Sequence, residues 1–161
     1  MMRGARDILL TSQPAPAYHG DVRISTRGDY ACRALLSLAL HTDEPGPISV
    51  RDIAARTALP QPYLEQILLA LKGAGLVHSK RGVGGGYTLA KKASEITVAD
   101  IILSVDEPID ATHCGGKENC HGSTGRCMTH DLWSALNSRM VEFLDSVNLQ
   151  KLVDDQLAAG H

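Results

Sequence analysis

The sequence predicts a mostly α-helical fold with one small β-hairpin and a long helix near its C-terminal end. Three observations predict it. Between residues 24 and 72, three segments repeat apolar residues at helical spacing, separated by Pro- and Gly-containing breaks. Residues 76–91 then change period, with two short strand-like runs, LVHSK and YTLAK, around a glycine-rich tip, RGVGGG. From His130 to Val147 the apolar residues Leu132, Leu136, Met140, Phe143, Leu144 and Val147 return to helical spacing.

The first helix is expected to be capped by Ser25 or Thr26 and to bury Tyr30, Ala34, Leu35, Leu38 and Leu40. His41 falls in its last turn, and DEPGP breaks it. Ser49 and Asp52 resemble a capping box for a second helix, with Val50, Ile53, Ala54 and Leu59 inward. Pro60 or Pro62 suits the first turn of a third helix, where a missing N–H costs nothing. That helix runs from about residue 63 to 72, with Leu64, Ile67, Leu68 and Leu71 inward, and Gly73 and Gly75 end it. After the hairpin, Thr97 can cap a short helix through Val98, Ile101, Ile102 and Val105. A final turn of helix is expected over residues 149–156.

The 161 residues are 43% apolar and 21% charged, which suits one small globular domain plus an oligomerisation element and excludes whole-chain disorder. The longest apolar runs are four or five residues, too short to span a membrane. Ile8-Leu9-Leu10 is too short for a secretory signal, so a cytoplasmic location is expected, where disulfides are rare. The four cysteines then suggest metal, redox or core roles. Four segments follow: a disordered extension at 1–22, a helical unit closed by the hairpin at 23–92, a short helix and a Gly- and Cys-containing loop at 93–129, and a long helix with a tail at 130–161.

Charge divides along the same lines. Residues 23–92 hold ten Lys/Arg against five Asp/Glu, and residues 93–161 hold four against eleven. A basic half points to a polyanion partner for that half alone. Three helices followed by a hairpin make a winged helix-turn-helix, whose third helix reads the major groove. Gln61, Tyr63, Glu65 and Gln66 stand at or near the N-terminal end of that helix, the end that reaches base edges. Gln pairs with adenine, and Glu accepts from cytosine N4. Arg81 at the hairpin tip suits a narrow minor groove. Lys72, Lys80, Lys91 and Lys92 suit phosphates, which give affinity rather than sequence reading. Winged helices also serve as protein-docking modules, and the charge favours DNA. GVGGG lies between strands, with no helix N-terminus behind it, so it is no nucleotide-binding fingerprint. No nucleophile–base pair supports catalysis: His41 and His78 read as helix-end and strand residues.

Cys114, Cys120 and Cys127 stand as C-x5-C-x6-C on a Gly-containing segment, with His113, His121 and His130 close by in sequence. Three thiolates on one such loop can converge on a metal, and the long gaps favour an iron–sulfur cluster over the shorter spacing of zinc fingers. Zinc and a metal-free thiol loop are the alternatives. Cys32, among Ala31, Ala34 and Leu35, reads as a small core residue.

Four strings carry a resemblance: RISTRGDYACRALLSLAL, PYLEQILLALKGAGLVHSKRGVGGGYTLAK, SVDEPIDATHC and CMTHDLW. Over about residues 23–157 the chain resembles the IscR-like winged-helix iron–sulfur regulators, a family that includes NsrR and RirA. The resemblance implies a homodimeric transcription factor acting on a double-stranded DNA operator, with the helix at 130–147 crossing its copy. It implies a [2Fe–2S] cluster held by Cys114, Cys120, Cys127 and His130, with Glu65 on the base-reading helix and Arg81 in the wing. It also implies control of iron–sulfur assembly genes, often by repression in the cluster-loaded form, with the assembly machinery as a further partner. Two departures stand out. The second gap between cysteines is one residue longer than usual, and Val83 replaces a common Pro. Nitric-oxide-sensing relatives place an aspartate where Asp29 stands, which makes Asp29 of the partner subunit an alternative fourth ligand, to a [4Fe–4S] cluster. A zinc-stabilised interaction module remains the reading from a different class.

Overall fold

The computed structural model describes residues 25–105 and 128–160. The expected extension at 1–22 lies outside them. Helix α1 (Thr26–Leu40) is the central element. Ser25 caps it, its hydroxyl accepting from the Gly28 N–H at 3.1 Å. Ala34, Leu35 and Leu38 are buried as the spacing predicts, while Tyr30 and Leu40 are only half-buried and Ala31 and Ala39 join the core. The wider buried surface follows from the neighbours: α1 touches helices on several sides and the second hairpin strand. A helix enclosed in this way cannot keep a single apolar stripe.

Helix α2 (Val50–Thr57) starts at Ser49, whose hydroxyl accepts from the Asp52 N–H at 3.1 Å and donates to the Asp52 carboxylate at 2.7 Å. Asp is one methylene shorter than Glu, and here it answers the capping hydroxyl rather than the Ser49 N–H. The helix ends at Ala58, a left-handed residue with φ 55°. Leu59 is buried, and Pro60 leads into α3 (Gln61–Gly73). Leu64, Ile67, Leu68 and Leu71 of α3 are all buried.

Strands β1 (Val77–Lys80) and β2 (Gly86–Leu89) pair antiparallel, with Val77 opposite Leu89 and Lys80 opposite Gly86. The outer edge of β2 is paired too. Ile48 N–H donates to the Tyr87 carbonyl at 3.0 Å, and Tyr87 N–H donates to the Ile48 carbonyl at 2.8 Å. The hairpin is thereby tied to the residue just ahead of the Ser49 cap.

A 3₁₀ turn at Ala93–Glu95 precedes α4 (Val98–Ser104), which Thr97 and Asp100 open with a full capping box. Helices α5 (His130–Ser146) and α6 (Leu149–Ala158) complete the fold. The sequence predicts only a final turn of helix, over residues 149–156. The structure gives it ten helical residues, capped by the Asn148 side chain, and packs it on α1. Leu149 is fully buried and Val153 nearly so, both in the main core. Leu149 N–H donates to the Ile96 carbonyl and Val98 N–H to the Val147 carbonyl, both at 2.8 Å. These bonds clamp the α5–α6 junction onto the start of α4. Val98, Ile102 and Val147 make a second small apolar cluster, bordered by Cys32, Leu144 and Leu152.

Candidate nucleic-acid interface and metal-ligand residues

The inward face of α3 is fully apolar, so its polar residues face outward. Gln61, Tyr63, Glu65, Gln66 and Lys72 are all exposed, Tyr63 by 60%. Leu69, on the same outer surface, is 66% exposed. The sequence reading did not single it out, because an apolar residue next to an apolar stripe is read as core. The Gln61 amide Nε2 donates to Glu65 Oε1 at 3.2 Å, one helical turn away.

The wing stands beside this helix because β1 packs against α3. Lys80 and Arg81 lead into its tip, where Gly85 N–H donates to the Gly82 carbonyl at 3.0 Å and closes the turn. Arg81 and Val83 are exposed. Gly86 is required by close approach: a Cβ there would collide with the Ile48 carbonyl. Two positive charges near this unit are already engaged. Arg56 holds Glu44 through two bonds of 3.0 Å, and Arg33 pairs with Asp29 at 2.8 Å. Lys72, Lys80, Arg81, Lys91 and Lys92 are exposed and pair with no carboxylate among the described residues.

Of the expected cluster ligands, Cys114, Cys120 and Cys127 lie outside the described residues. His130 is described. It opens α5, is buried at 9% exposure, and has Nε2 at 3.4 Å from Ser134 Oγ. Among the described residues no three His, Cys, Asp or Glu side chains converge on a metal-binding geometry. Asp29 instead lines a groove with Thr26, Tyr30, Cys32, Val98 and Ile102. Burial, with the Asp29 charge adding to it, pushes the Cys32 thiol up to about 11. Cys32 therefore stays a protonated core thiol at neutral pH, as its apolar neighbours in the sequence suggest.

Helix α5 buries little of its apolar residue set. Val147 is buried and Met140 and Leu144 are half-buried, but Leu132 is 61% exposed, and Leu136 and Phe143 are exposed too. Trp133 and Val141 add to this surface from outside the expected stripe. The Trp133 ring is oriented by its Nε1–H, which donates to Thr129 Oγ1 at 3.0 Å. No helix among the described residues is long and apolar enough to cross a membrane.

Comparison with known proteins agrees with this architecture. Residues 24–155 match the Rrf2 family, described as an iron-dependent transcriptional regulator. The HTH-type transcriptional regulator IscR of Photorhabdus laumondii is 48% identical over 135 residues, covering 84% of this chain and 81% of that protein. IscR of Aliivibrio salmonicida is 48% identical over 134 residues, covering 83% and 79%. Among solved structures, T. potens IscR matches with TM-score 0.71 at 34% identity, covering 88% of this chain and 93% of that one. CymR, the global cysteine regulator of B. subtilis, matches with TM-score 0.68 at 33% identity, covering 83% and 97%. These relatives are regulators and not enzymes, and their winged-helix architecture is the one built here from α2, α3 and the hairpin. With the match running over most of the chain, it belongs to the Rrf2 family of DNA-binding transcriptional regulators.

Proposed function

We propose that this chain is a homodimeric regulator whose hold on double-stranded DNA depends on an iron–sulfur cluster carried at the α4–α5 connection. One observation carries the DNA part: the exposed row of Gln61, Tyr63, Glu65 and Gln66 lies on a helix that packs directly against an Arg81-tipped wing. The row is presented to base edges, Arg81 enters the adjacent minor groove, and Lys72 and Lys80 hold phosphates.

The donor set for the cluster is three thiols and one imidazole: Cys114, Cys120, Cys127 and His130. Such soft ligands suit iron–sulfur or zinc. What the structure offers for a fit is His130. It is buried, it starts a helix, and its Nε2 is next to Ser134, which leaves Nδ1 for a metal. His130 as the fourth ligand goes with a [2Fe–2S] cluster, and Asp29 of the partner subunit, which in one chain pairs with Arg33, goes with the [4Fe–4S] alternative. A bound cluster supplies a group whose presence depends on iron and redox state. The connection it would occupy joins α4 to α5, and α4 touches α3. A change in how the connection is held therefore reaches the reading helix by direct packing. The exposed apolar surface of α5 supports pairing with a second copy, which would match a two-fold operator. The same reading assigns iron–sulfur assembly genes as targets and the assembly machinery as the source of the cluster.

The test is anaerobic purification, with the visible spectrum and iron and sulfide counts taken on the wild type and on His130→Ala. A red-brown protein with about two irons per chain, altered by the substitution, supports the site. A four-iron spectrum that survives the substitution moves the fourth ligand to Asp29 and the signal toward nitric oxide. A colourless protein with one zinc overturns the cluster.

A further inference from the structure

Glu65 carries a charge that opposes binding. Its carboxylate is exposed in the middle of the α3 row, and no Lys or Arg among the described residues pairs with it. Pressed toward a phosphate backbone, an unpaired carboxylate weakens association with every sequence alike. Only a donor on a base edge offsets that loss, and cytosine N4 is the donor a glutamate accepts from in the major groove. The gain depends on direction, because a freely rotating side chain loses entropy on being fixed. The structure supplies that direction. The Gln61 amide donates to Oε1, and among the described residues this is the carboxylate's one hydrogen bond, leaving Oε2 open. The bond draws Glu65 toward the N-terminal end of α3, the end that reaches bases. Gln61 stands between Pro60 and Pro62, whose rings lock their own φ and stiffen the backbone that carries it.

We propose that Gln61 is a positioning residue for Glu65, and that the two read one C·G base pair as a unit. This rests on the DNA-binding reading above and goes beyond it. Gln61 acts through Glu65 and not through a base of its own, so its loss relaxes preference at the base pair Glu65 selects.

The experiment uses the full chain, purified anaerobically, and a randomised duplex DNA library to obtain the preferred site. Affinities follow on that site and on its single-base-pair variants, for the wild type, Gln61→Ala, Glu65→Ala and the double variant. Both positions are exposed, and thermal melts confirm that each variant is folded. Glu65→Ala is expected to flatten discrimination at one C·G pair by about tenfold. Gln61→Ala should flatten the same pair, and the double variant should do no more than Glu65→Ala alone. Gln61→Lys, which restores a donor, should recover that preference while raising affinity on all sequences. A Gln61→Ala variant that weakens all sequences equally overturns the proposal and leaves the DNA-binding reading intact. So does one that shifts a different base pair additively with Glu65→Ala, or a Glu65→Ala variant with unchanged preferences. A wild type that selects no sequence overturns both.

Discussion

The attachment of the wing to the body can be tested at Gly86. A Cβ at this position would meet the Ile48 carbonyl and the Ser49 nitrogen, which are backbone atoms that cannot rotate away. Relief requires β2 to move off Ile48, and that breaks the two Ile48–Tyr87 hydrogen bonds of 3.0 and 2.8 Å. Each such bond contributes about 0.5–1.5 kcal/mol net. The displaced packing adds about 1–3 kcal/mol. Gly86→Ala should therefore cost about 4 kcal/mol before the strain of an alanine at φ +155° is added, a large share of the roughly 5–15 kcal/mol that holds a small domain folded. The control is Gly84→Ala. Gly84 has φ +72° but no atom near its would-be Cβ, so only left-handed strain of about 1–2 kcal/mol applies. Urea unfolding followed by circular dichroism gives the two stabilities. Fluorescence anisotropy with duplex DNA at low temperature, where both variants are folded, gives the functional cost. The Gly86→Ala protein should lose affinity well beyond the control, because Lys80 and Arg81 are no longer held beside α3. Equal stability losses in the two variants would refute the role given to the Ile48 contact.

Three further outcomes follow from the same structure. Leu149→Ala empties a fully buried site of the main core and should cost about 2–5 kcal/mol by chemical denaturation; a cost below about 1 kcal/mol would mean that α6 is dispensable to the core. Ala58→Gly removes a left-handed alanine from the exposed turn between α2 and α3, and should raise stability by about 0.5 kcal/mol in urea melts, the strain relieved exceeding the added chain entropy. The Cys32 thiol, raised to about 11 from its ordinary 9.0, should alkylate far more slowly in the folded chain than in urea at pH 8, read by peptide mass mapping. Because the unfolded thiol releases its proton first, the stability that Cys32 contributes is complete below pH 9 and declines as pH rises toward 11.

Much of the local structure is legible in the sequence because it depends on neighbours in the chain. Ser25, Ser49 and Thr97 cap helices where their spacing to the next donors predicts. Leu64, Ile67, Leu68 and Leu71 form one face because a helix repeats every 3.6 residues. The outward row of Gln61, Tyr63, Glu65 and Gln66 follows from the same period. On α1, sequence spacing goes only part of the way, since Ala31 and Ala39 are buried by neighbours that come from elsewhere in the chain. The α5 residues show the opposite limit. Their spacing marks an apolar stripe, yet half of it, Leu132, Leu136 and Phe143, stays exposed.

By itself, the sequence determined the helices, the hairpin, the polarity of the reading face and the division of charge, all of which arise from residue types at short separations. Only the tertiary structure decided that Ile48 ties the wing to α2 and that residues 149–158 return to the main core. It also decided that His130 is buried. The physical reason is range. Caps, turns and periodicity act over three or four residues, whereas burial and the pairing of a strand edge depend on which distant segments meet, and no local pattern encodes the choice among partners of similar hydrophobicity.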